Sequence, residues 1–389
     1  MWRQGDGMSN EIVVIGSGFA AQQLIKCLRR LDVEQPIRLI TADTGDEYNK
    51  PDLSHVVSRQ NSARSMIRQP GADFAEQQRI TLHSECPVLS IDRQRQIVVT
   101  SAGEFAYGQL VLATGATAMR PDFPGAEFLV SLNSLQEYAG IEERLRQASR
   151  IMILGAGLIG CELAMDMASD NRQVTLVDLA DAPLSALLPE FLSQPLHQAL
   201  RQQGVELLLG QAIAEIAPHP SENSPNRVQV TLSSGTQREP DLVLVAIGLR
   251  ANTMLATDAG LAVGRGIRVD ECLRTSDPAI FALGDCAEWQ ERLLPFLQPI
   301  ALGANALAKT LLGCPTPLVL PPLLVKIKTP LYPMQLAGRT RGEDLHWQCR
   351  WHQLGLVAEA RELGGRLSGF VVGGDQMASA FPLLRELVH

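Results

Sequence analysis

No two of the seven cysteines (Cys27, Cys86, Cys161, Cys272, Cys286, Cys314, Cys349) stand in a C-x-x-C or similarly short spacing, and their number is odd. A disulfide framework and a thiolate metal site both need clustered thiols, so neither is expected, and no metal ligand set is assigned. Each cysteine reads instead as a small buried hydrophobe. Basic runs are missing too. The net charge of −8 is spread along the chain, which argues against nucleic-acid binding, since that needs a concentrated positive surface. No apolar stretch approaches the ~20 residues of a membrane helix; the run Leu242 to Leu249 is far shorter. The first residues, Met1 to Asn10, are polar and lack the apolar core of a signal peptide. Met8 is the expected natural start, with Met1–Gly7 an addition, no membrane association is expected, and the expected compartment is the cytoplasm. What is present is a globular composition: 389 residues, 46% hydrophobic, with 32 Gly and 23 Pro, long enough for two or three domains.

Ile12-Val-Val-Ile15 is a short apolar run suited to a fully buried parallel strand. It enters Gly16-Ser-Gly18-Phe-Ala-Ala21, then a helical stretch from Gln22 to about Leu31 and a strand at Ile37 to Thr41. This is a βαβ unit with a G-x-G-x-x-A turn. Gly16 permits the tight turn, Gly18 lets backbone approach a pyrophosphate, and Ala21 keeps helix and strand close. The helix N-terminus aims its free N–H groups at the phosphates. The arrangement recurs at Ile151 to Leu154, Gly155-Ala-Gly157-Leu-Ile-Gly160, a helix from Cys161 to about Ser169 and a strand at Val174 to Val177. One such turn is weak evidence, but two complete strand–turn–helix–strand copies predict two dinucleotide sites. Asp178 ends the second unit's strand, 18 residues beyond Gly160, near the ~20 at which an acid meets a ribose 2′-hydroxyl. Leu179 to Pro183 carries no Lys or Arg, while Asp178 and Asp181 would repel a 2′-phosphate. The second site is therefore expected to prefer NADH over NADPH. In the first unit Asp43, 25 residues beyond Gly18, is the candidate for the adenosine ribose; the competing reading is an ordinary loop aspartate.

At this point nearly the whole chain resembles the pyridine nucleotide-disulfide oxidoreductase-like flavoproteins. Leu110 to Ala116, with Thr114-Gly115, resembles the strand and turn where the chain leaves the FAD domain, and Leu242 to Arg250, with Gly248, resembles the return. Ile280 to Ala287 resembles the late FAD motif, in which Gly284 and Asp285 would serve the flavin's ribityl chain. The resemblance implies an α/β fold of two Rossmann-like dinucleotide-binding domains, the FAD domain discontinuous, with a small C-terminal α+β interface domain. Expected boundaries are 8–114 and 242–320 for the FAD domain, 115–241 for the NAD domain and 321–389 for the last. No cysteine occurs in Asp46 to Ser54, where disulfide reductases of the family carry their redox pair. Tyr48 to Ser54 resembles instead the aromatic-x-x/Lys-Pro-x-Leu-Ser segment of the rubredoxin and ferredoxin reductase type.

That resemblance implies FAD and NADH as cofactors and a rubredoxin-type iron protein as one-electron acceptor. A reductase of another rubredoxin or ferredoxin, and an apoptosis-inducing-factor-like protein that senses NADH, stay open as alternatives. No side-chain acid or base is required, because the flavin carries the chemistry. By resemblance Lys50 would set a positive charge near the isoalloxazine and Pro51 would fix the backbone there. Glu162 would aim at the nicotinamide–flavin interface, or else serve only as an acid at the start of its helix. Gln298 to Asn305 would begin a helix whose N-terminus faces the flavin pyrimidine. In the last domain Val325 to Thr329 and Trp347 to Trp351 read as strands and Gln376 to Val388 as a helix. Lys326, Lys328, Arg339 and Arg341 are expected to form a local positive face that would steer an acidic rubredoxin, or else an ordinary solvated surface.

Overall fold

A computed structural model describes residues 10–219 and 227–387; the expected start at Met8 and the expected helix end at Val388 lie outside the described residues. In chain order the elements that position the sites are β1 (Ile12–Ile15), α1 (Phe19–Leu31), β2 (Ile37–Ile40), β3 (Thr81–His83) and β4 (Gln109–Leu112). Next come β5 (Arg150–Leu154), α2 (Leu158–Ala168), β6 (Gln173–Asp178), β7 (Glu206–Leu209), β8 (Leu242–Val245), β9 (Ile280–Ala282) and α3 (Leu297–Leu311). The last module holds β10 (Val325–Ile327), β11 (Met334–Gly338), β12 (His346–Trp351), β13 (Gly355–Arg361), β14 (Leu367–Gly374) and α4 (Ala380–Glu386).

The chain divides into two compact units. The first comprises the chain up to Lys50, Ser65–Thr117 and Leu249–Leu320. Its parallel sheet runs in the order β9-β4-β1-β2-β3. All four residues of β1 are buried, as expected of a strand covered on both faces. Ile12 and Val14 pack on one side with Leu24 and Leu28 of α1 and Leu307 and Leu311 of α3. Val13 and Ile15 pack on the other with Tyr107, Leu110 and Ile280.

The second unit comprises Pro51–Arg64, Ala118–Gly248 and the chain from Pro321. Its parallel sheet runs β7-β6-β5-β8. The expected boundary at 242 is therefore corrected: Leu242 to Val245 pairs with Ile151 to Leu154, so β8 completes the second sheet and the crossing comes after Gly248. The segment Pro51–Arg64 departs from the expected 8–114 domain as well, because its polar groups are held by this unit. Tyr138 Oη donates to Asn61 O, and Ala63 N–H donates to Glu142 Oε2 at 3.1 Å. Burial and the nearby Glu142 push the Tyr138 hydroxyl up to about 12, so it stays a donor. The C-terminal module is an antiparallel sheet, β10-β11-β14-β13-β12, with α4 packed on it through Ala380 and Leu383.

Both helices after the glycine turns start earlier than expected, at Phe19 and Leu158 rather than Gln22 and Cys161. Gly18 and Gly157 stand at the N-cap in extended conformation, with no side-chain cap. The first amides of each helix are thus left for a ligand.

Candidate functional site

In the first unit the carboxyl ends of β1, β4 and β9 lie side by side, the place where open α/β sheets bind ligands. Gly16 donates its N–H to Ile40 O at 2.8 Å and adopts φ +100°. A Cβ there would sit 2.4 Å from Ala113 O, whereas at Gly18 it would meet nothing within 4 Å. The turn is closed on its protein side and open on the side of the uncapped helix. That open cradle fits a pyrophosphate, and Ala21 behind it is fully buried. Asp43 Oδ1 accepts from Ser17 Oγ (2.6 Å), Thr41 Oγ1 (2.7 Å) and Gly45 N–H (2.9 Å). The residue is exposed, so its second oxygen is available to a ribose.

After β4 the backbone turns through Thr114 and Gly115, the latter at φ +68°. Asn252, a residue that sequence reasoning missed, fixes this crossing. Its Nδ2 donates to Thr114 O at 2.8 Å, and its own backbone O accepts from Thr114 Oγ1 at 2.8 Å. Gly284, at φ +88°, lies so close to α1 that a Cβ would come within 2.7 Å of the Ala20 Cβ. The next residue, Asp285, has its Oδ2 3.7 Å from Lys50 Nζ. Two sequence-predicted residues more than 200 positions apart are thereby brought together. Gln298 is exposed in the first turn of α3, a helix start with no side-chain cap and no acid. Among the described residues no hydrogen bond joins it to the others.

The second unit repeats the cradle. Gly155 donates to Val177 O at 2.8 Å and adopts φ +110°, where a Cβ would sit 2.5 Å from Ala246 O. Gly157 has open space, and a Cβ on Gly160 would lie 1.7 Å from Gly155 O. The first unit admits an alanine at the equivalent place; here only hydrogen fits. Asp178 Oδ2 accepts from Ala156 N–H (2.5 Å) and Oδ1 from Ala180 N–H (2.7 Å). Its charge is thus pinned to the turn itself, with exposed Leu179 beside it. Gly248, at φ +119°, accepts from Met119 N–H at 3.0 Å where the chain leaves this unit.

Glu162, expected either to aim at the nicotinamide–flavin interface or to serve as an acid at the start of its helix, is held by protein donors in this structure. It is buried, and Oε2 accepts from Ser54 Oγ and Oε1 from Lys328 N–H, each at 2.8 Å. Pro51 opens the segment to which Ser54 belongs. One helical turn on, buried Asp166 accepts from Val57 N–H (2.9 Å), Ser58 N–H (3.1 Å) and Ser58 Oγ. Sequence reasoning missed Asp166, although two acids four residues apart in an otherwise apolar helix were a visible signal. The expected positive face is corrected at Arg339, whose guanidinium is bound by Asp344 through both oxygens (2.9 and 2.6 Å). Lys326, Lys328 and Arg341 remain exposed, with no carboxylate paired to them among the described residues. Cys161 and Cys286 are fully buried, and burial pushes both thiols up, away from thiolate chemistry. No helix among the described residues is long and apolar enough to cross a membrane.

Residues 10–306 match the family described as pyridine nucleotide-disulphide oxidoreductase, and residues 317–387 match a rubredoxin binding C-terminal domain. The chain is 69% identical over 381 residues to a protein of Aeromonas hydrophila subsp. hydrophila named nitric oxide reductase FlRd-NAD(+) reductase, covering 98% of this chain and 97% of the relative. A protein of the same name from Escherichia coli K12 is 47% identical over 380 residues, covering 98% of this chain and 100% of the relative. Among solved structures, the ferredoxin reductase for the CYP199A2 system of Rhodopseudomonas palustris has a TM-score of 0.86 at 28% identity, over 96% of this chain and 93% of the other. The reductase of the covalent putidaredoxin reductase–putidaredoxin complex has a TM-score of 0.87 at 26% identity, over 98% of this chain and 94% of the other.

Proposed function

The chain belongs to the pyridine nucleotide-disulphide oxidoreductase family, and on that premise we propose that it oxidises NADH and delivers electrons singly to the rubredoxin centre of a flavorubredoxin, in nitric oxide reduction. FAD, once bound, supplies the conversion from hydride to single electrons. The observation that carries the reading is the order of modules: two open glycine cradles, then a C-terminal module that matches a rubredoxin-binding domain. The burial of Cys161 and Cys286, next to the second glycine turn and to Asp285, supports the same reading at those places, since disulfide exchange needs an accessible thiolate; Cys314, against the expectation for every cysteine, is exposed.

The chain's residues divide the work. Gly16, Gly18, Ala21, Asp43, Thr114, Gly115, Gly284 and Asp285 would hold FAD, with Gln298 in the uncapped start of α3. Gly155, Gly157, Gly160 and Asp178 would hold NADH, with Gly248 closing the return. Lys50, beside Asp285, would place a cation where the flavin becomes electron-rich. Removing it, as Lys50→Ala, is expected to cost about 1–2 kcal/mol of that stabilisation, lowering the potential by about 20–40 mV for a two-electron couple. A redox titration checks this, and an unchanged potential would return Lys50 to the solvent.

The exposed cations Lys326 and Lys328 would steer an acidic partner. Lys326→Glu with Lys328→Glu is expected to slow delivery to oxidised flavorubredoxin by roughly tenfold at low salt, while reduction by NADH is unchanged. Anaerobic stopped-flow tests the whole proposal. Enzyme reduced with NADH should reoxidise as the rubredoxin iron bleaches, more slowly as salt rises. Fast reduction by NADH with sluggish delivery would overturn the assignment of acceptor. A panel of rubredoxins and ferredoxins would then find the right one.

A further inference from the structure

We propose that Leu184 is a positioning residue for the pyridine nucleotide, one that fixes the direction of the Gly157 amide in the second glycine turn. The inference rests on the reading that this turn holds NADH. Leu184 is 1% exposed yet adopts φ +57°. That left-handed region costs a leucine free energy, because its Cβ crowds the following carbonyl, and it persists only where the surroundings enforce it. The hydrogen bonds show what the conformation achieves. Leu184 donates its N–H to Ala156 O at 2.9 Å, while its own O accepts from Leu187 N–H (2.8 Å) and Leu188 N–H (2.9 Å). Leu187 O in turn accepts from Thr340 Oγ1 at 2.7 Å, and Thr340 is a buried residue of the C-terminal module in the same compact unit. The turn that Leu184 opens is therefore held at both of its ends.

Ala156, between Gly155 and Gly157, is gripped on both sides: its N–H by Asp178 Oδ2 and its O by Leu184 N–H. In a planar trans peptide the C=O and the following N–H point in opposite directions. With Ala156 O turned back to Leu184, the Gly157 N–H points away from it, and no acceptor among the described residues takes that proton. It is left for a phosphate. In the first unit the equivalent carbonyl is Ser17 O, and no backbone N–H among the described residues donates to it. The difference fits the two ligands. FAD stays bound through turnover, whereas the pyridine nucleotide enters and leaves, so the second turn has to keep its shape while empty.

The test compares Leu184→Ala with Leu184→Gly in the full-length, FAD-loaded protein. NADH titration in stopped-flow separates the apparent affinity from the limiting rate of flavin reduction. Both variants lose the buried side chain that anchors the turn, but only glycine enters the left-handed region freely. Leu184→Ala is therefore expected to weaken NADH binding about tenfold and Leu184→Gly only about threefold, with limiting rates within about twofold of the parent. Loss of packing alone predicts the reverse order, since glycine removes more of the side chain. Glycine as harmful as alanine, or a lower melting temperature with unchanged NADH affinity, would overturn the proposal. Gly160→Ala, measured alongside, keeps the two readings apart. If it weakens NADH while both Leu184 variants do not, the role of Leu184 alone falls; if all three are silent, the assignment of the second turn falls with it. Should Leu184→Ala fail to fold, Thr340→Val removes only the hydroxyl on Leu187 O. It must then weaken NADH about two- to threefold at a constant limiting rate, and an unchanged affinity would overturn the proposal.

Discussion

Replacing Gly160 by alanine is expected to weaken NADH binding by roughly 10- to 100-fold while FAD stays bound. The added Cβ would stand 1.7 Å from Gly155 O. That atom is backbone within the nucleotide turn, so no flexible side chain can swing aside. Either α2 withdraws from the turn or the turn opens, and both misplace the helix amides that meet the phosphates. The first unit folds around its own sheet and its own pair of core clusters, so its cofactor content should not change. Flavin absorbance per protein and an NADH titration followed by flavin reduction measure the two halves. NADH affinity within about twofold of the parent would mean that the second turn does not hold the pyridine nucleotide. Ala21 is the natural control: the first unit already carries this methyl, and there the helix stands far enough away.

Asp178→Ala combined with Leu179→Arg is expected to reverse the cofactor preference, with NADH efficiency falling by roughly 10- to 100-fold as its ribose loses a charged acceptor. Efficiency with NADPH should rise, because Leu179 is 76% exposed and an arginine there can reach a 2′-phosphate without repacking. The single change Asp178→Ala should impair NADH without helping NADPH, since exposed Asp181 still repels the phosphate and no cation replaces Asp178. Steady-state kcat/KM for both nucleotides decides the matter. An unchanged ratio in the double variant would place the ribose elsewhere. Asp178 also pins Ala156 N–H, so some loss of turn order should accompany the single change, visible as a higher KM at nearly constant kcat.

The two glycine turns were legible because their information is local. Gly16 and Gly155 need positive φ and a nearby carbonyl, and a strand before and a helix after complete the pattern within about 30 residues. The helix starts at Phe19 and Leu158 were not read correctly, since glycine at an N-cap gives no capping side chain to mark the boundary. The boundary at 242 was misplaced for a different reason. Leu242 to Val245 is a buried parallel strand whichever sheet it joins, and only its pairing with Ile151 to Leu154 decides. Arg339 read as a free cation because its partners, Asp344 and Glu362, meet it only in the folded sheet. Lys50 and Asp285 were each found through resemblance, but their approach to 3.7 Å is a product of the fold. Asn252 left almost no local trace, since an Asn after a strand is common; Asp166, four residues after Glu162 in an apolar helix, was visible as an anomaly, but the backbone it binds was not.

The segment Pro51–Arg64 also bears on how proteins of this kind can be recombined. Its sequence neighbours lie in the first nucleotide fold, yet its polar groups are answered by Glu162, Asp166, Tyr138 and Glu142. A chimera that imports the second nucleotide module by cutting near Ala118 and Gly248 would keep the host's copy of this segment against a foreign helix. Any mismatch would leave the two buried carboxylates Glu162 and Asp166 facing the wrong donors. The exchangeable unit is therefore discontinuous, and a graft should carry residues 51–64 along with 118–248.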